Sequence, residues 1–492
     1  MTYDGPHPTQ SDRSIPSTLC PPFSNEYLTN QRGKMKTATA VTATSAVALC
    51  GFAPKASAFG VNTRLTLAGR SFVSTKLATA QPLRSKVSMV AISPPKISTV
   101  IPEAIDLSGV QLSGLQGKAL QPKTFPTKRE VINMIPKHCF EKDTWRSMKY
   151  AFMSTGLTLA IGGLAASFLP LKLAFLPAWI AYAAVCGTVA TGSWVVAHEC
   201  GHGAFSDNRL LQDTVGYVLH SLLLVPYFSW QRSHAIHHAN TNHMTDGETH
   251  VPEMADEARG LQDMRRGIRK FFGKPLGTAI FGVMQTFNHL VAGWPAYLMF
   301  GVTGGPSRGM TSHFFPHPPF STGVQGSDLF PGAWKKKVWM SDVGVVAMVA
   351  GLATWAAKSG AWQVAALYGG PYLVVNAWLV LITWLQHTDV DVPHFDAPNW
   401  SFIKGALHTV DRPYGRVLDA LHHRIGSTHV AHHVDCTIPH YHALEATNAI
   451  KSAFPDVYLY DPTPLPQATW RIASCCAGVE KRGDMHVFVN SD

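Results

Sequence analysis

The sequence predicts an all-α integral membrane protein in which four transmembrane helices form two hairpins. Two observations favour this fold class. Of the 492 residues, 46% are hydrophobic and only 15% are charged, whereas soluble proteins average about 25% charged residues. The apolar residues are also concentrated in two pairs of long runs, each long enough to cross a hydrocarbon core about 30 Å thick as a helix. These features indicate a multi-pass membrane protein.

The N-terminal region has the composition of a targeting sequence. Residues 1–34 form a polar extension without periodicity, to which we assign no role. Residues 35–58 have the layout of a secretory signal peptide, with a charged start, a short apolar core and a small-residue cleavage site at Ala56-Ser57-Ala58. On this interpretation Met35 would be the start of translation, and the residues before it would be an artefact of the gene model.

Residues 59–100 are basic and rich in Ser and Thr, as transit peptides are. No Asp or Glu occurs between Glu26 and Glu103, whereas about ten Lys and Arg do, so the basic excess behind the formal net charge of +10 belongs to the N-terminal region. No basic stripe with interleaved aromatic residues follows, and we expect no nucleic-acid binding. A signal peptide followed by a transit peptide, with Phe59 after the cleavage site, resembles the bipartite plastid presequence of algae with secondary plastids. It predicts a plastid (chloroplast) membrane, with the endoplasmic reticulum membrane as the alternative.

The predicted spans occur as two close pairs. Only three or four residues separate the two runs of each pair, which is typical of a helical hairpin. Lys and Arg collect on the side of the longer connections, and this bias favours the cytosol or stroma for that side. The four runs are residues 151–169, 173–196, 339–357 and 362–385.

Eight histidines occur in three clusters beside these runs. The clusters are HECGH at 198–202, SHAIHH at 233–238 and THVAHH at 428–433. Residues spaced i, i+3 and i+4 share one side of a helix, so we expect each cluster to present its imidazoles in one direction. Imidazole binds iron, copper, zinc and nickel, and eight ligands exceed the need of one ion. Two metal ions sharing a histidine cage are therefore predicted, with these candidate ligands: His198, His202, His234, His237, His238, His429, His432 and His433.

His387 is a ninth candidate ligand, because an ionisable residue at the edge of a membrane helix is a functional hypothesis by default. Two further apolar runs, 210–229 and 276–303, are interrupted by proline or polar residues. If 210–229 crossed the bilayer, the first two clusters would face opposite sides of the membrane and could not share a site. We therefore predict both runs to be interfacial or re-entrant helices.

Two other classes of protein could use some of these residues. HECGH matches the HExxH signature of zinc proteases, with Glu199 as general base. The longer metzincin pattern fails at Phe205 and Asn208, and six clustered histidines would have no role. A metal transporter would need polar ligands inside the spans, whereas here they lie just outside them.

The three clusters resemble the histidine boxes of membrane fatty acid desaturases, and the likeness extends over residues 125–475. The chain is similar to the Δ12 (omega-6) enzymes, which act towards the methyl end of acyl-lipids, and also to the omega-3 (Δ15) enzymes. Gly203 departs from the pattern, because many Δ12 enzymes have histidine there. Residues 476–492 are predicted to be a C-terminal tail. Four segments carry the likeness: SDVG at 341–344, VNAWLVLITWLQHT at 375–388, GALHTVDRPYG at 405–415 and IPHYHALEATNAIK at 438–451.

The resemblance implies a di-iron enzyme that uses O2 and two electrons to introduce a cis double bond into a monounsaturated acyl-lipid, converting oleoyl to linoleoyl type. Two Fe2+ ions would be held by the eight clustered histidines, with His387 as a ninth ligand, in a cap on the cytosolic or stromal side. Glu199 and Asp411 would orient ligands. Because no fused cytochrome b5 motif occurs, the implied electron donor is a separate protein, ferredoxin in a plastid or cytochrome b5 in the endoplasmic reticulum.

Overall fold

Four long apolar helices form the membrane part of the protein. The computed structural model describes residues 108–257, 259–323 and 328–490. Within these residues, four helices are long and apolar enough to cross a membrane, which confirms the predicted fold class. The predicted polar extension, signal peptide and transit-peptide-like segment lie outside the described residues. The four spans are Thr144–Phe168, Leu173–His202, Trp334–Ser359 and Ala361–His387.

The described part of the chain contains sixteen α-helices and one two-stranded sheet. Short 3-10 and π segments connect several of the helices. The helices are α1 (Lys128–Met134), α2 (Thr144–Phe168), α3 (Leu176–His202), α4 (Arg209–Leu222), α5 (Tyr227–Ala239), α6 (Leu261–Phe272), α7 (Lys274–Phe287), α8 (Trp294–Phe300), α9 (Trp334–Ser359), α10 (Ala361–Val364), α11 (Gly370–His387), α12 (Phe402–Ala406), α13 (Gly415–Leu421), α14 (His429–Val434), α15 (His440–Ala453) and α16 (Leu465–Cys475). The strands are β1 (Val479–Arg482) and β2 (Met485–Phe488).

The spans pair as predicted, but their helices extend beyond the apolar runs. The second run was predicted to end at residue 196, whereas α3 continues to His202. Hydropathy detects only the apolar part of a helix, and backbone hydrogen bonding continues through the polar residues of HECGH. The helix ends at Gly203, whose φ of 77° lies in the left-handed region that favours glycine. The first histidine cluster is therefore the last turn of a membrane helix.

The two interrupted runs form short helices, and neither is among the four spans. Run 210–229 divides into α4 and α5 at Pro226, which precedes the first residue of α5. Run 276–303 divides into α7, a π segment at Asn288–Gly293 and α8. Proline cannot donate a backbone hydrogen bond, and it is tolerated at the start of a helix but not in the middle. Pro226 thus separates two helices, whereas the second run stays helical from Lys274 to Phe300 and changes only to π geometry at Asn288–Gly293.

Helix α3 is the central span, since it packs against α2, α4 and α11. Gly187 permits its close contact with α11. A Cβ atom at Gly187 would lie 2.5 Å from Cβ of Val374 and 2.6 Å from the carbonyl oxygen of Pro371. By contrast, α2 exposes large apolar side chains, and Leu159 and Phe168 are 69% and 79% exposed. Such a surface is expected to face lipid.

Residues 476–490 fold against the rest of the protein. Strands β1 and β2 form an antiparallel hairpin with a turn at Gly483. Val479 also pairs with Met254, and its N–H donates to the carbonyl oxygen of Glu253 at 2.9 Å. The segment described from the sequence as a tail therefore packs beside the loop that follows α5.

A buried ionic network follows the fourth span. Arg412 is buried and pairs with Asp461 and with Asp389, whose Oδ2 lies 2.8 Å from Nη2 of Arg412. Arg471 on α16 binds the same two carboxylates at 2.7 and 2.6 Å. Two guanidinium groups thus neutralise two buried carboxylates, one of which, Asp389, lies two residues after His387. The network fixes the end of α11 against the chain that leads to the third histidine cluster.

Replacing Arg412 with Met should lower the free energy of unfolding by about 3–5 kcal/mol, because it leaves buried carboxylates with too little positive charge. The matched control is Arg266→Met, which removes an exposed pair with Asp263 at 3.6 Å and should cost less than about 1 kcal/mol. Thermal unfolding of the purified variants measures both effects. Equal melting temperatures for the two variants would contradict a structural role for the network.

Candidate metal centre

Five histidines converge at the C-terminal end of α3. The candidate ligand nitrogens of His198, His202, His234, His238 and His432 all lie within 4.8 Å of one another. Nε2 of His198 is 3.0 Å from Nε2 of His234 and 3.1 Å from Nε2 of His202. Nε2 of His238 is 3.2 Å from Nε2 of His234. We call these five residues the first histidine group.

A second group lies beside the first. The candidate ligand nitrogens of His237, His387 and His433 lie within 4.8 Å of one another. Nε2 of His387 is also 3.0 Å from Nε2 of His429 and 3.1 Å from Nε2 of His237. These four residues are the second histidine group. The structure therefore brings together all nine histidines named from the sequence, including His387, which stands alone in the chain.

The HxxHH clusters do not each point in one direction, as the spacing alone suggested. On α5, His234 and His238 belong to the first group and His237 to the second. Successive residues on a helix are about 100° apart, so the adjacent pair His237 and His238 must diverge. Helix α14 divides in the same way, since His432 joins the first group and His433 the second. Both helices thus contribute ligands to both groups.

Polar contacts fix the beginnings of these two helices. The hydroxyl of Ser341, on α9, accepts hydrogen bonds from the N–H groups of Phe228 at 2.9 Å and Ser229 at 3.4 Å in the first turn of α5. Oδ1 of Asp411 accepts a hydrogen bond from the N–H of Val430 in the first turn of α14 at 3.0 Å. Helix N-termini leave N–H groups without intrahelical partners. Residues distant in the sequence therefore hold both ligand-bearing helices in place.

Asp411 and Glu199, predicted to orient ligands, occupy different positions. Asp411 contacts the backbone of α14 and accepts a second hydrogen bond from the hydroxyl of Tyr458 at 2.8 Å. Burial raises the pKa of Asp411 to about 7. Glu199 is buried, and its Oε2 accepts the N–H of His440 at 2.9 Å. Its Oε1 is 3.8 Å from Nδ1 of His198, so Glu199 is the carboxylate nearest this candidate ligand.

Burial keeps the imidazoles outside the spans neutral. Burial lowers the pKa of His237 to about 3, with a smaller contribution from His429. Burial, followed by neighbouring histidines, also holds the pKa of His432 and His433 well below the usual value. Metal binding requires the neutral imidazole. The groups are therefore in the protonation state that ligands need, and protons do not compete with a metal.

Hydrogen bonds at Nδ1 orient two rings with Nε2 towards the groups. The hydroxyl of Thr241 donates to the carbonyl oxygen of His237 at 2.8 Å and lies 3.1 Å from Nδ1 of His433. Nδ1–H of His433 therefore donates to Thr241, and Nδ1–H of His429 donates to the carbonyl oxygen of Ile425 at 3.3 Å. Such contacts fix the tautomer of a metal-binding histidine. Nε2 of His432 and of His433 is buried without a hydrogen-bond partner, as expected for ligand atoms.

His250 adjoins the second group, although no sequence pattern singles it out. Its ring stacks on that of His387 with centroids 5.6 Å apart and lies 6.5 Å from the ring of His237. It belongs to a loop, at a φ of 59°, and no helical spacing relates it to the clusters. By contrast, His289 stacks on Trp384 at 3.9 Å and donates to the carbonyl oxygen of Gln285, as an ordinary core histidine does.

A small cavity of about 80 Å³ opens beside both groups. His234 of the first group and His237 of the second line it. The rest of its wall combines aromatic and aliphatic side chains with six polar ones, Glu248, Thr249, His250, His289, Thr303 and Thr383. An apolar guest in this cavity would lie directly against the candidate metal ligands. The apolar wall residues are Trp194, Trp230, Trp294, Val302, Leu379 and Val380.

Replacing Asp411 with Ala should destabilise α14 by about 0.5–2 kcal/mol, the usual cost of a lost N-terminal cap. Because α14 carries ligands of both groups, bound metal should fall as well. Tyr458→Phe, which removes only the partner of the other carboxylate oxygen, is the control and should retain its metal. Thermal unfolding and elemental analysis measure the two effects. A fully metallated Asp411→Ala protein would show that α14 does not need this cap.

Comparison with known proteins places this arrangement in a family. The family model described as fatty acid desaturase matches residues 175–463, which include all nine histidines. The Delta(12)-fatty-acid desaturase of Arabidopsis thaliana is 42% identical over 355 residues, covering 71% of this chain and 87% of the relative. The Omega-6 fatty acid desaturase, endoplasmic reticulum, of Brassica juncea is 41% identical, covering 72% of this chain and 88% of the relative.

A third relative agrees with these two. The Delta(12)-acyl-lipid-desaturase of Punica granatum is 41% identical over 359 residues, covering 72% of this chain and 87% of the relative. The region matched by the family model contains α3, α9, α11 and both histidine groups, and the similarity extends over most of each relative. The chain therefore belongs to the fatty acid desaturase family of membrane proteins.

Proposed function

We propose that this protein is an acyl-lipid Δ12 (omega-6) desaturase, which converts an oleoyl-type monounsaturated chain into a linoleoyl-type chain. The observation that carries this proposal is the pair of adjacent, buried histidine groups at the C-terminal ends of α3 and α11. The Δ12 position is supported by the names of the relatives, which are Δ12 or omega-6 desaturases at about 40% identity.

Two iron ions fit the donor chemistry of the two groups. Imidazole nitrogen suits iron, and the nitrogens are neutral and buried. Neighbouring Nε2 atoms of the first group lie 3.0–3.2 Å apart, so these imidazoles converge closely enough to bind one ion together. The first group, His198, His202, His234, His238 and His432, would hold one iron. The second group, His237, His387, His429 and His433, would hold the other.

Bound iron would supply, with O2 and two electrons, the oxidant that removes two hydrogens from unactivated methylenes, a reaction that no side chain can perform. The chain itself supplies the surroundings. Buried neutral imidazoles present nitrogen donors without competing protons, and the apolar burial excludes water from the reacting carbons. The ends of α3 and α11 place this site where an acyl chain can reach it from the membrane.

The cavity beside the groups is the proposed site of the reacting methylenes. Its volume of about 80 Å³ accommodates only a short stretch of chain. Trp194, Trp230 and Trp294 provide rigid walls, while Leu379 and Val380 form the side towards the fourth span. A rigid apolar slot beside a fixed pair of metal sites would select which carbons react.

Two alternatives have less support. An omega-3 (Δ15) desaturase would use the same histidines, but the relatives compared above bear Δ12 or omega-6 names. An HExxH protease would need Glu199 as a general base, whereas Glu199 accepts the backbone N–H of His440. Two ligands from HExxH would also leave the other seven grouped histidines unexplained.

The proposed location is a plastid membrane, with ferredoxin as electron donor. The proposal rests on the presequence-like composition of residues 35–100. A relative from Brassica juncea is named for the endoplasmic reticulum, which favours the alternative location and cytochrome b5 as the donor. The two possibilities differ in which reductant sustains turnover.

Expression from Met35 in a yeast that makes monoenes but no dienes should yield dienes with a new bond at Δ12. Mass spectrometry with assignment of double-bond positions provides the measurement. Turnover in yeast membranes that requires added plastid-type ferredoxin would support the plastid proposal, and turnover with the host cytochrome b5 alone would favour the endoplasmic reticulum. Trienes from supplied linoleate, without dienes from oleate, would replace Δ12 by the omega-3 assignment.

His237→Ala should abolish diene formation and lower bound iron, since His237 belongs to the second group and adjoins the first. The exposed histidine His317 provides the matched control, and His317→Ala should retain both iron and activity. Iron is quantified in purified protein and products in whole cells. Full activity of the His237 variant would refute the ligand arrangement.

Gly293→Leu should fill the cavity and reduce diene formation by at least about tenfold, equivalent to about 1.4 kcal/mol of barrier, without loss of iron. A Cβ atom at Gly293 would lie 3.4 Å from Val380 in the cavity wall. Gly351→Leu is the control, because open space surrounds Gly351 on α9. Unchanged products from the Gly293 variant would exclude this cavity as the chain-binding site.

A further inference from the structure

A third cluster of metal-binding side chains lies outside the two histidine groups. It consists of His138, Cys139, His442 and Glu445, whose candidate ligand atoms all lie within 4.8 Å of one another. We propose that these four residues form a zinc-binding site, separate from the iron centre. The site does not depend on the proposed desaturase activity.

Two elements distant in the sequence bring these residues together. His138 and Cys139 are adjacent in a 3-10 turn, Lys137–Phe140, which precedes the first span. His442 and Glu445 are three residues apart on α15, and side chains at this spacing share one side of a helix. The turn packs against α15. Each element thus presents two donors to the same point.

The distances suit a single small cation. Nε2 of His138 lies 2.9 Å from Oε2 of Glu445 and 3.9 Å from Sγ of Cys139. The rings of His138 and His442 have centroids 5.5 Å apart at 75°. Tetrahedral zinc binds nitrogen and oxygen at about 2.0–2.2 Å and sulfur at about 2.3 Å, so its ligand atoms are about 3.3–3.6 Å apart. The side chains of His138 and Glu445 are each 51% exposed and have room to make this adjustment.

The donor set distinguishes zinc from the hard cations. Thiolate and imidazole select zinc, whereas calcium and magnesium take oxygen ligands. A thiolate and a carboxylate would balance the charge of Zn2+. Burial raises the pKa of Cys139 to about 11, so zinc would displace the thiol proton to solvent when it binds.

A simpler explanation accounts for only part of the cluster. An exposed pair such as His138 and Glu445 contributes about 0–1 kcal/mol, and Cys139 packs against the core formed by residues such as Val131 and Ile450. This explanation gives no reason for His442 to lie beside the pair. Zinc would join the segment before the first span to α15, whose first N–H binds Glu199.

Cobalt is the probe that separates this site from the iron centre. Tag-free, full-chain protein loaded with iron is titrated with Co2+, and a thiolate-to-cobalt charge-transfer band in the near ultraviolet reports cysteine ligation. None of the nine grouped histidines could give this band. Excess Zn2+ should bleach it, and elemental analysis should find one zinc per chain in addition to iron.

Cys139→Ser should abolish the band, and His442→Ala and Glu445→Gln should weaken zinc binding. Loss of an outer-shell partner alone costs about 10–100-fold in metal affinity, so loss of a ligand should cost at least about 100-fold. Cys186→Ser, which alters a buried cysteine in α3, is the matched control and should leave the band intact. Iron content and diene formation measured in each variant show whether the protein is folded and active.

Absence of the band in the wild-type protein would overturn the proposal. So would an undiminished band in Cys139→Ser, or equal zinc affinity in the wild type, His442→Ala and Glu445→Gln. Because His442 and Glu445 are not buried, these two variants keep the test valid even if Cys139→Ser fails to fold. If the cluster binds no metal but dienes form normally, the proposed desaturase function is unaffected.

Discussion

The structure depends on the divergence of adjacent histidines on α5 and α14. Each helix lies between the two histidine groups and sends ligands to both, because consecutive side chains point in directions about 100° apart. The two groups consequently share a scaffold and cannot move independently. The rings of His238 and His433, which belong to different groups, stack with centroids 4.0 Å apart. Two metal ions held in this way would keep a fixed separation.

The rest of the fold holds these short helices in position. Helices α3 and α11 approach closely at Gly187, and their ends bring His198, His202 and His387 to the same site. The network of Arg412 and Arg471 fixes the chain just after α11. The side-chain oxygens of Ser341 and Asp411 accept hydrogen bonds from backbone N–H groups in the first turns of α5 and α14. The ionic and hydrogen-bonded contacts are buried or partly buried, so loss of one partner leaves a polar group without its hydrogen bond, which is costly.

The membrane and the metal site are connected through the same helices. The outer surface of α2 is apolar and faces lipid, whereas the last turns of α3 and α11 carry imidazoles. An acyl chain bound in the cavity would therefore meet aromatic walls and candidate ligand nitrogens together. This arrangement suits a reaction on unactivated methylenes, for which both an apolar pocket and a strong oxidant are needed. Family membership gives the reaction class, and the geometry shows which residues could perform each task.

The sequence alone determined the fold class, the four candidate spans and the histidines of interest. These properties are local, since hydropathy, proline positions and helical spacing act within a few residues. Tertiary structure decided how the histidines divide between groups, where His250 lies, and how Asp411 and Ser341 act on helix ends. It also revealed the cluster of His138, Cys139, His442 and Glu445. Such features join residues up to 307 positions apart. A local sequence pattern does not show which distant side chains come into contact when the chain folds.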